Sequence, residues 1–310
     1  MQTILGAGGD IGKFLATALS AYTNRVRLVG RHPQKVNETD ELMAGDLQDA
    51  ALVQQAVAGS EVVYITAGLP YNASVWEQQW PVMMQNVIDA CVRHRCKLVF
   101  FDNVYAYAKT AIPHMTEESR IDPPSRKGRV RAQLIRMLTA AAATRGLQYL
   151  IARSADFYGP EARNGILNQL VLNNVKKGSR ANWQANVHKV HSFTYTPDAA
   201  RATALLGNTE AAYGQVWHLP TSEERLTGKQ FIELAAAQMQ VQPRYFVLSP
   251  LLLALGGLFS RTIKELREMQ YQNNQDYYFD SSKFTKTFGF KPTSYKEGIR
   301  QTMLGSNERD

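Results

Sequence analysis

The stretch Gly6–Ala7–Gly8–Gly9–Asp10–Ile11–Gly12 follows the apolar run Thr3–Leu5 and leads directly into the amphipathic pattern Ile11–Ala21. A glycine at position 6 permits a tight turn out of a strand, Gly9 lets backbone N–H groups approach a pyrophosphate, and Gly12 allows helix and strand to pack closely. The helix that opens there presents a partial positive charge to an anion. With Gly8, Asp10 and Ile11 completing the loop, the segment predicts a dinucleotide phosphate cradle at the first βα turn of a doubly wound sheet.

Outward from this loop, short apolar runs at Val26–Val29, Leu42–Ala44, Val62–Thr66, Leu98–Phe101 and Tyr149–Ala152 alternate with helical patterns at Asp49–Val57, Val75–Arg93 and Arg129–Thr144. This rhythm predicts βαβ units and a parallel sheet. The strongest runs carry Val, Ile, Leu or Phe at successive positions, as expected of strands covered by helices on both faces. After Arg153 the pattern loosens into a helix near Ile166–Lys176, a run His191–Tyr195, a helix opening at Pro197 and a strand around Val216–Leu219. Helices at Gly228–Gln238 and Leu251–Tyr271 and a terminal segment Gly289–Arg300 complete the chain. The expected fold class is α/β, a Rossmann-type doubly wound parallel sheet with a smaller intertwined C-terminal α/β lobe. The dinucleotide-binding domain is expected at 1–155 with a crossing-back segment about 190–220, and the substrate lobe at 156–189 and 221–310.

Composition narrows the function. The chain has 310 residues, 45% hydrophobic and 20% charged, so it is long enough to bury a sizeable core. Cys91 and Cys96 form no CxxC pair, which supports neither a disulfide framework nor a zinc site, and no metal is expected. The 35 basic and 27 acidic residues leave a formal charge of +8, concentrated only at Ser125–Arg131 and Lys176–Arg180. No nucleic-acid motif accompanies these clusters, so a nucleic-acid partner is not expected. The apolar stretch Pro250–Phe259 is short of the roughly 20 residues a membrane span needs and reads as a buried helix opening with Pro250. No membrane partner is expected, and a chain that starts on a strand leaves no room for a leader, which points to the cytoplasm.

The end of the second strand bears on the choice of dinucleotide, because an acid there binds the ribose 2′-hydroxyl whereas an arginine accommodates a 2′-phosphate. Here it reads Val29–Gly30–Arg31, with no acid from Arg25 to Pro33. NADP(H) is therefore expected over NAD(H). Asp46 and Leu47 would sit beside the adenine, with Asp46 equally suited to cap the next helix. Thr66, Ala67 and Gly68 close the fourth strand, where small residues let the chain pass near the cofactor.

The sequences GAGGDIG at 6–12, GDL at 45–47, TAG at 66–68 and NVYAY at 103–107 resemble those of the extended short-chain dehydrogenase/reductases, the NAD-dependent epimerase/dehydratase group. The likeness continues through RSADFYGP at 153–160, SFTYTPDAARA at 192–202 and DSSKFTKTFGFKPTSYKEGI at 280–299. The resemblance implies the same fold and a dinucleotide cofactor. It also implies a possible homodimer, through the helices around Val75–Arg93 and Arg129–Thr144.

That family uses a Ser or Thr after strand five and a Tyr-x-x-x-Lys on the following helix, and here the pattern departs. Phe101, Asp102 and Asn103 stand where the hydroxyl belongs, and the helix reads Lys127–Gly–Arg–Val–Arg131. A literal Tyr-x-x-x-Lys occurs at Tyr105–Lys109, but directly after strand five, so Tyr105 is expected beneath the cofactor loop or at the substrate and not as the acid. Lys127-x-x-x-Arg131 keeps the four-residue spacing that puts both side chains on one helix face. It resembles the lysine-bearing helix of the isoflavone-reductase-like NADPH reductases, in which a lysine replaces the tyrosine. An amine can exchange protons in such a setting because burial and a like charge both favour its neutral form; a plain solvated basic helix start is the competing reading.

Lys127 is thus expected to supply the proton and touch the cofactor, and Arg131 to tune it and hold ribose or phosphate. Asp102, Asn103, Tyr158 and Arg153 are expected to help position a small-molecule substrate between the lobes. The leading expectation is an NADP(H)-dependent oxidoreductase acting on a small carbonyl or hydroxyl compound. A nucleotide-sugar epimerase or dehydratase and a non-catalytic NADP(H)-sensing protein are the alternatives.

Overall fold

The computed structural model describes residues 1–249 and 261–304. These fall into two compact units, one of residues 1–106, 126–153 and 199–217, the other of 107–125, 154–198 and 218 onward. The expected helix Leu251–Tyr271 and its opening at Pro250 lie largely outside the described residues.

The first unit carries β1 (Gln2–Leu5), α1 (Gly12–Leu19), β2 (Val26–Gly30), β3 (Glu41–Ala44), α2 (Ala50–Val57), β4 (Val62–Ile65), α3 (Ala73–His94) and β5 (Lys97–Asn103). The chain then gives α4 (Arg126–Arg145) and β6 (Tyr149–Ser154), and later α6 (Thr196–Gly207) and β10 (Val216–His218). The seven strands pair in the order β10-β6-β5-β4-β1-β2-β3. β1 lies parallel between β2 and β4, with Leu5 opposite both Val29 and Ile65. The chain order reverses beside β1, the switch point at which such sheets bind ligands. Every residue of β1 and β4 is buried, β4 with apolar side chains on both faces and β1 with its polar Gln2 and Thr3 hydrogen-bonded to Tyr64 and Ser60.

Local signals explain the helix boundaries. Asn72 caps α3 by accepting a hydrogen bond from the Val75 N–H at 3.1 Å, and Arg95 ends the helix in the left-handed region at φ 56°. Asp49 caps α2, accepting from Ala51 and Leu52 N–H, so the capping role considered for Asp46 falls three residues later. Asp46 instead closes a turn on the Gln48 N–H at 2.9 Å.

The second unit is built around two short parallel pairs, β7 (Asp156–Tyr158) with β9 (Phe193–Tyr195) and β8 (Ala181–Gln184) with β11 (Tyr245–Leu248). Its helices are α5 (Asn173–Lys176), α7 (Gly228–Gln238), α8 (Arg261–Glu268), α9 (Ser282–Phe288) and α10 (Tyr295–Leu304). A π-helical turn, Asn168–Leu172, precedes α5. Tyr158, Trp183, Phe193, Phe231 and Tyr295 share its apolar core. The terminal segment expected at Gly289–Arg300 is a loop followed by α10, because Lys291–Pro292 delays the helix start.

Candidate functional site

The glycine loop meets the requirements of a phosphate cradle one position at a time. Gly6 lies at φ +94°, and a Cβ there would fall 2.4 Å from the Ala67 backbone. At Gly12 a Cβ would stand 2.2 Å from the Ala7 carbonyl oxygen, so helix and loop touch only because it has none. Gly9 would make ordinary contacts, and Gly8 faces open space. The loop is thus closed on the protein side and bare of side chains at its tip, the form a backbone needs to approach an anion. No side chain of Ile11 caps α1 and no acid occupies its first turn, so nothing in that turn opposes a negative charge at the helix start. Among the remaining residues expected here, Asp10 is half-buried, Ile11 packs inward at 3% exposure and the Thr66 hydroxyl donates to the Gly6 carbonyl at 3.3 Å. Ala67 lies against Gly6, and Gly68 has open space at its Cβ position. These residues fit a dinucleotide pyrophosphate.

Arg31 directly follows β2, is exposed and has no ion pair among the described residues. Asp46 is exposed and Leu47 buried, as edge and floor of the next βα turn.

Of the basic residues of α4, Lys127 and Arg131 are buried, in different settings. Lys127, in the first turn, is fully buried, and its ammonium stands 4.5 Å from the centre of the Tyr71 ring. Arg131, one turn later, was expected at ribose or phosphate and is instead enclosed by Trp80, Trp76 and Phe100 at 4.3, 4.8 and 5.6 Å. Burial pushes its guanidinium below the ordinary arginine value, and Asp102 opposes that shift.

Asp102, at the end of β5, accepts from Arg153 Nη2 at 3.0 Å and Nε at 3.3 Å through one oxygen. Its other oxygen lies 3.6 Å from Arg131 Nη1. The Asp102, Arg153 and Arg131 side chains are 0%, 1% and 7% exposed, so Asp102 and Arg153 form a buried strut between β5, β6 and α4. Both were expected to help position substrate, and both are buried. Asn103 accepts from the Tyr105 N–H at 3.0 Å and so opens the 3-10 turn Val104–Ala106. Tyr105 stacks on Trp76 with ring centres 6.1 Å apart. Tyr158, expected beside substrate, is buried with Tyr195 and Tyr295 in the core of the second unit, where burial holds its phenol well above the usual range.

The structure therefore brings Lys127, Arg131, Asp102, Arg153 and Tyr105 into one neighbourhood of the first unit and leaves Tyr158 out. Sequence reasoning missed Tyr71, Trp76 and Trp80. Tyr71 could have been found, since it sits between the Thr66–Gly68 segment after β4 and the Asn72 cap, beyond the carboxyl end of a central strand, where sites form.

No helix among the described residues is long and apolar enough to cross a membrane. The chain superposes on DesIV, a dTDP-glucose 4,6-dehydratase from Streptomyces venezuelae, at TM-score 0.80 and 18% identity over 100% of this chain and 97% of that one. It superposes on a UDP-glucose 4-epimerase from Thermotoga maritima at 0.81 and 17%, over 99% of both chains. A UDP-glucose 4-epimerase from Thermus thermophilus in complex with NAD gives 0.77 and 18%, over 100% of both chains. At such identities these likenesses establish the fold. No curated protein sequence matches the chain. In sequence, residues 3–218 match the profile of the NAD dependent epimerase/dehydratase family, which takes in the glycine loop, the strands of the large sheet and the Lys127 helix. The chain belongs to the NAD dependent epimerase/dehydratase family.

Proposed function

We propose that this family member is an NADP(H)-dependent oxidoreductase acting on a small carbonyl or hydroxyl compound, with Lys127 exchanging the proton. The observation that carries the reading is the loop at 6–12, in which Gly6 and Gly12 are enforced by the protein and Gly8 is left open. A nicotinamide dinucleotide held there supplies or accepts the hydride. The phosphorylated form is favoured by Arg31, exposed after β2 with no carboxylate from Arg25 to Pro33. Gly8 and Gly9 offer backbone N–H groups to the pyrophosphate, and the start of α1 adds its dipole. In the reducing direction Lys127 Nζ gives a proton to the substrate oxygen as the carbonyl becomes a hydroxyl, and in the oxidising direction it takes that proton back. Support for Lys127 comes from its complete burial over Tyr71 in the first turn of α4, unlike the solvated position of an ordinary helix-start lysine.

The family match favours a second reading, with nucleotide sugars such as those in the names of the solved relatives as substrates. On α4, however, this chain offers an amine and no phenol. Both readings are tested by NADPH oxidation or NADP reduction against small aldehydes, ketones and alcohols, with UDP-glucose and dTDP-glucose added to the panel. The Lys127→Met variant should lose at least about a hundredfold in turnover at saturating NADPH, the usual size of a general-acid contribution. Undiminished turnover in that variant overturns the assignment. Tight NADPH binding with no turnover of any panel member would favour the sensing alternative.

A further inference from the structure

Lys109, the lysine of the literal Tyr-x-x-x-Lys motif, plays no part in the site described above. It belongs to the second unit, in the 3-10 turn Lys109–Ala111, whereas Tyr105 stacks on Trp76 in the first. There it borders a cavity of about 370 Å³, whose wall is completed by Arg267 and Glu268 at the C-terminal end of α8 and by the turn Gln270–Gln272 that follows. That volume falls within the roughly 300–1,000 Å³ of small-molecule sites. The segments around it are tied together, since Gln275 Nε2 donates to the Lys109 carbonyl at 3.1 Å.

The lining selects for charge and polarity. Among the described residues no aliphatic side chain lines the cavity, and Tyr271 supplies its single aromatic ring, so an apolar ligand would bury little surface there. Lys109 and Arg267 are exposed, and neither has an ion-pair partner among the described residues. Glu268 is the one carboxylate in the wall, so two cations less one anion leave a charge of +1, which suits a monoanion. Burial raises the Tyr271 phenol to about 12, so it adds no second negative charge. Phosphate sites use the N–H end of a helix; here the cavity meets the carbonyl end of α8, whose partial negative charge works against a dianion and whose last carbonyls accept from hydroxyls.

We propose that this cavity binds a small polyhydroxylated monocarboxylate, a sugar acid, with its carboxylate held by Arg267 and Lys109 and its hydroxyls by the Asn274 and Gln275 amides. The planar guanidinium fork matches the two oxygens of a carboxylate. A hydroxyl both donates and accepts, as do the side-chain amides that line the cavity, so each can serve the other in either direction.

The test is calorimetric titration of the full-length protein, without dinucleotide, using gluconate, glucose and glucose 6-phosphate. Gluconate should saturate a single site and bind about tenfold or more tightly than glucose, the value of one hydrogen bond to a charged group, and glucose 6-phosphate should bind more weakly than gluconate. Arg267→Met should bring gluconate down to the level of glucose, with an unchanged melting temperature because the side chain is exposed. Should Arg267→Met fail to fold, Lys109→Met, also at an exposed position, makes the same comparison and should weaken gluconate while sparing glucose. Equal affinities for gluconate and glucose, tighter binding of glucose 6-phosphate, gluconate affinity unchanged by these substitutions, or no saturable binding at millimolar concentration would each overturn the proposal.

Discussion

Replacing Asp102 by Asn keeps the shape of the side chain and removes its charge from between two guanidiniums. Asp102 is the anion facing both Arg153 at 3.0 Å and Arg131 at 3.6 Å, and all three side chains are buried. The two cations would then confront one another through a neutral amide in a region sealed by Trp76, Trp80 and Phe100. Removing one partner of a buried ionic cluster costs about 3–5 kcal/mol, most of it the penalty of leaving charge uncompensated away from water. Because Trp76 and Trp80 border the cluster, urea unfolding followed by tryptophan fluorescence should show a lowered midpoint with an unchanged denaturant slope. The companion variant Asp102→Asn with Arg131→Met removes the stranded cation and fills its aromatic enclosure. It should be more stable than the sum of the single changes by at least about 1 kcal/mol, the coupling expected of residues in direct contact. A cost below about 1 kcal/mol for Asp102→Asn, or strict additivity in the pair, would refute the assignment of the triad as a structural strut.

Three further outcomes are expected. Gly12→Ala, with its Cβ 2.2 Å from a backbone oxygen, should lower both thermal stability and dinucleotide affinity, whereas Gly8→Ala, with open space around it, should leave the melting temperature unchanged and weaken only binding. Burial pushes the Glu117 carboxyl above its ordinary value even though it accepts the His218 N–H at 2.9 Å. A raised folded value means that its contribution is fully present below about pH 4.3 and is lost as pH rises through the folded value, so Glu117→Gln should gain stability over wild type progressively above that point. Equal pH profiles for the two proteins would contradict this. Burial also raises the Cys96 thiol to about 11, so native protein at pH 8 should resist alkylation there until urea exposes it, and rapid labelling without urea would contradict the placement.

The fold of the first unit was legible because its evidence is local. GAGGDIG fixes a strand, a turn and a helix within a dozen residues, and buried parallel strands announce themselves as unbroken apolar runs. Even the short run at Leu42–Ala44 forms the edge strand β3. The second unit was harder to read. β7, β8 and β11 have three or four residues each, and Tyr245 and Phe246 of β11 are exposed, so no alternation marks them.

The site divides along the same line. The cradle was readable residue by residue, since turn chemistry depends on neighbours in sequence. The destinations of Arg131, Asp102 and Arg153 were not, because a pair 51 residues apart leaves no local trace and an arginine reads as a surface residue until its aromatic enclosure is seen. Lys127 stands out in the sequence by its spacing to Arg131 and by the likeness of its helix to that of the isoflavone-reductase-like reductases. Its burial and the Tyr71 ring beneath it are facts of packing that the spacing could not supply.

The central claim, that the loop at 6–12 together with Arg31 takes a phosphorylated nicotinamide dinucleotide, is tested most directly by titrating NADPH and NADH into the wild-type protein and into Arg31→Ala. NADPH should bind about tenfold or more tightly than NADH, as one charge-assisted contact to a 2′-phosphate requires, and Arg31→Ala should erase the difference while leaving NADH affinity in place. Failure of the wild-type protein to bind either dinucleotide, or a preference for NADPH that survives the loss of Arg31, would contradict it.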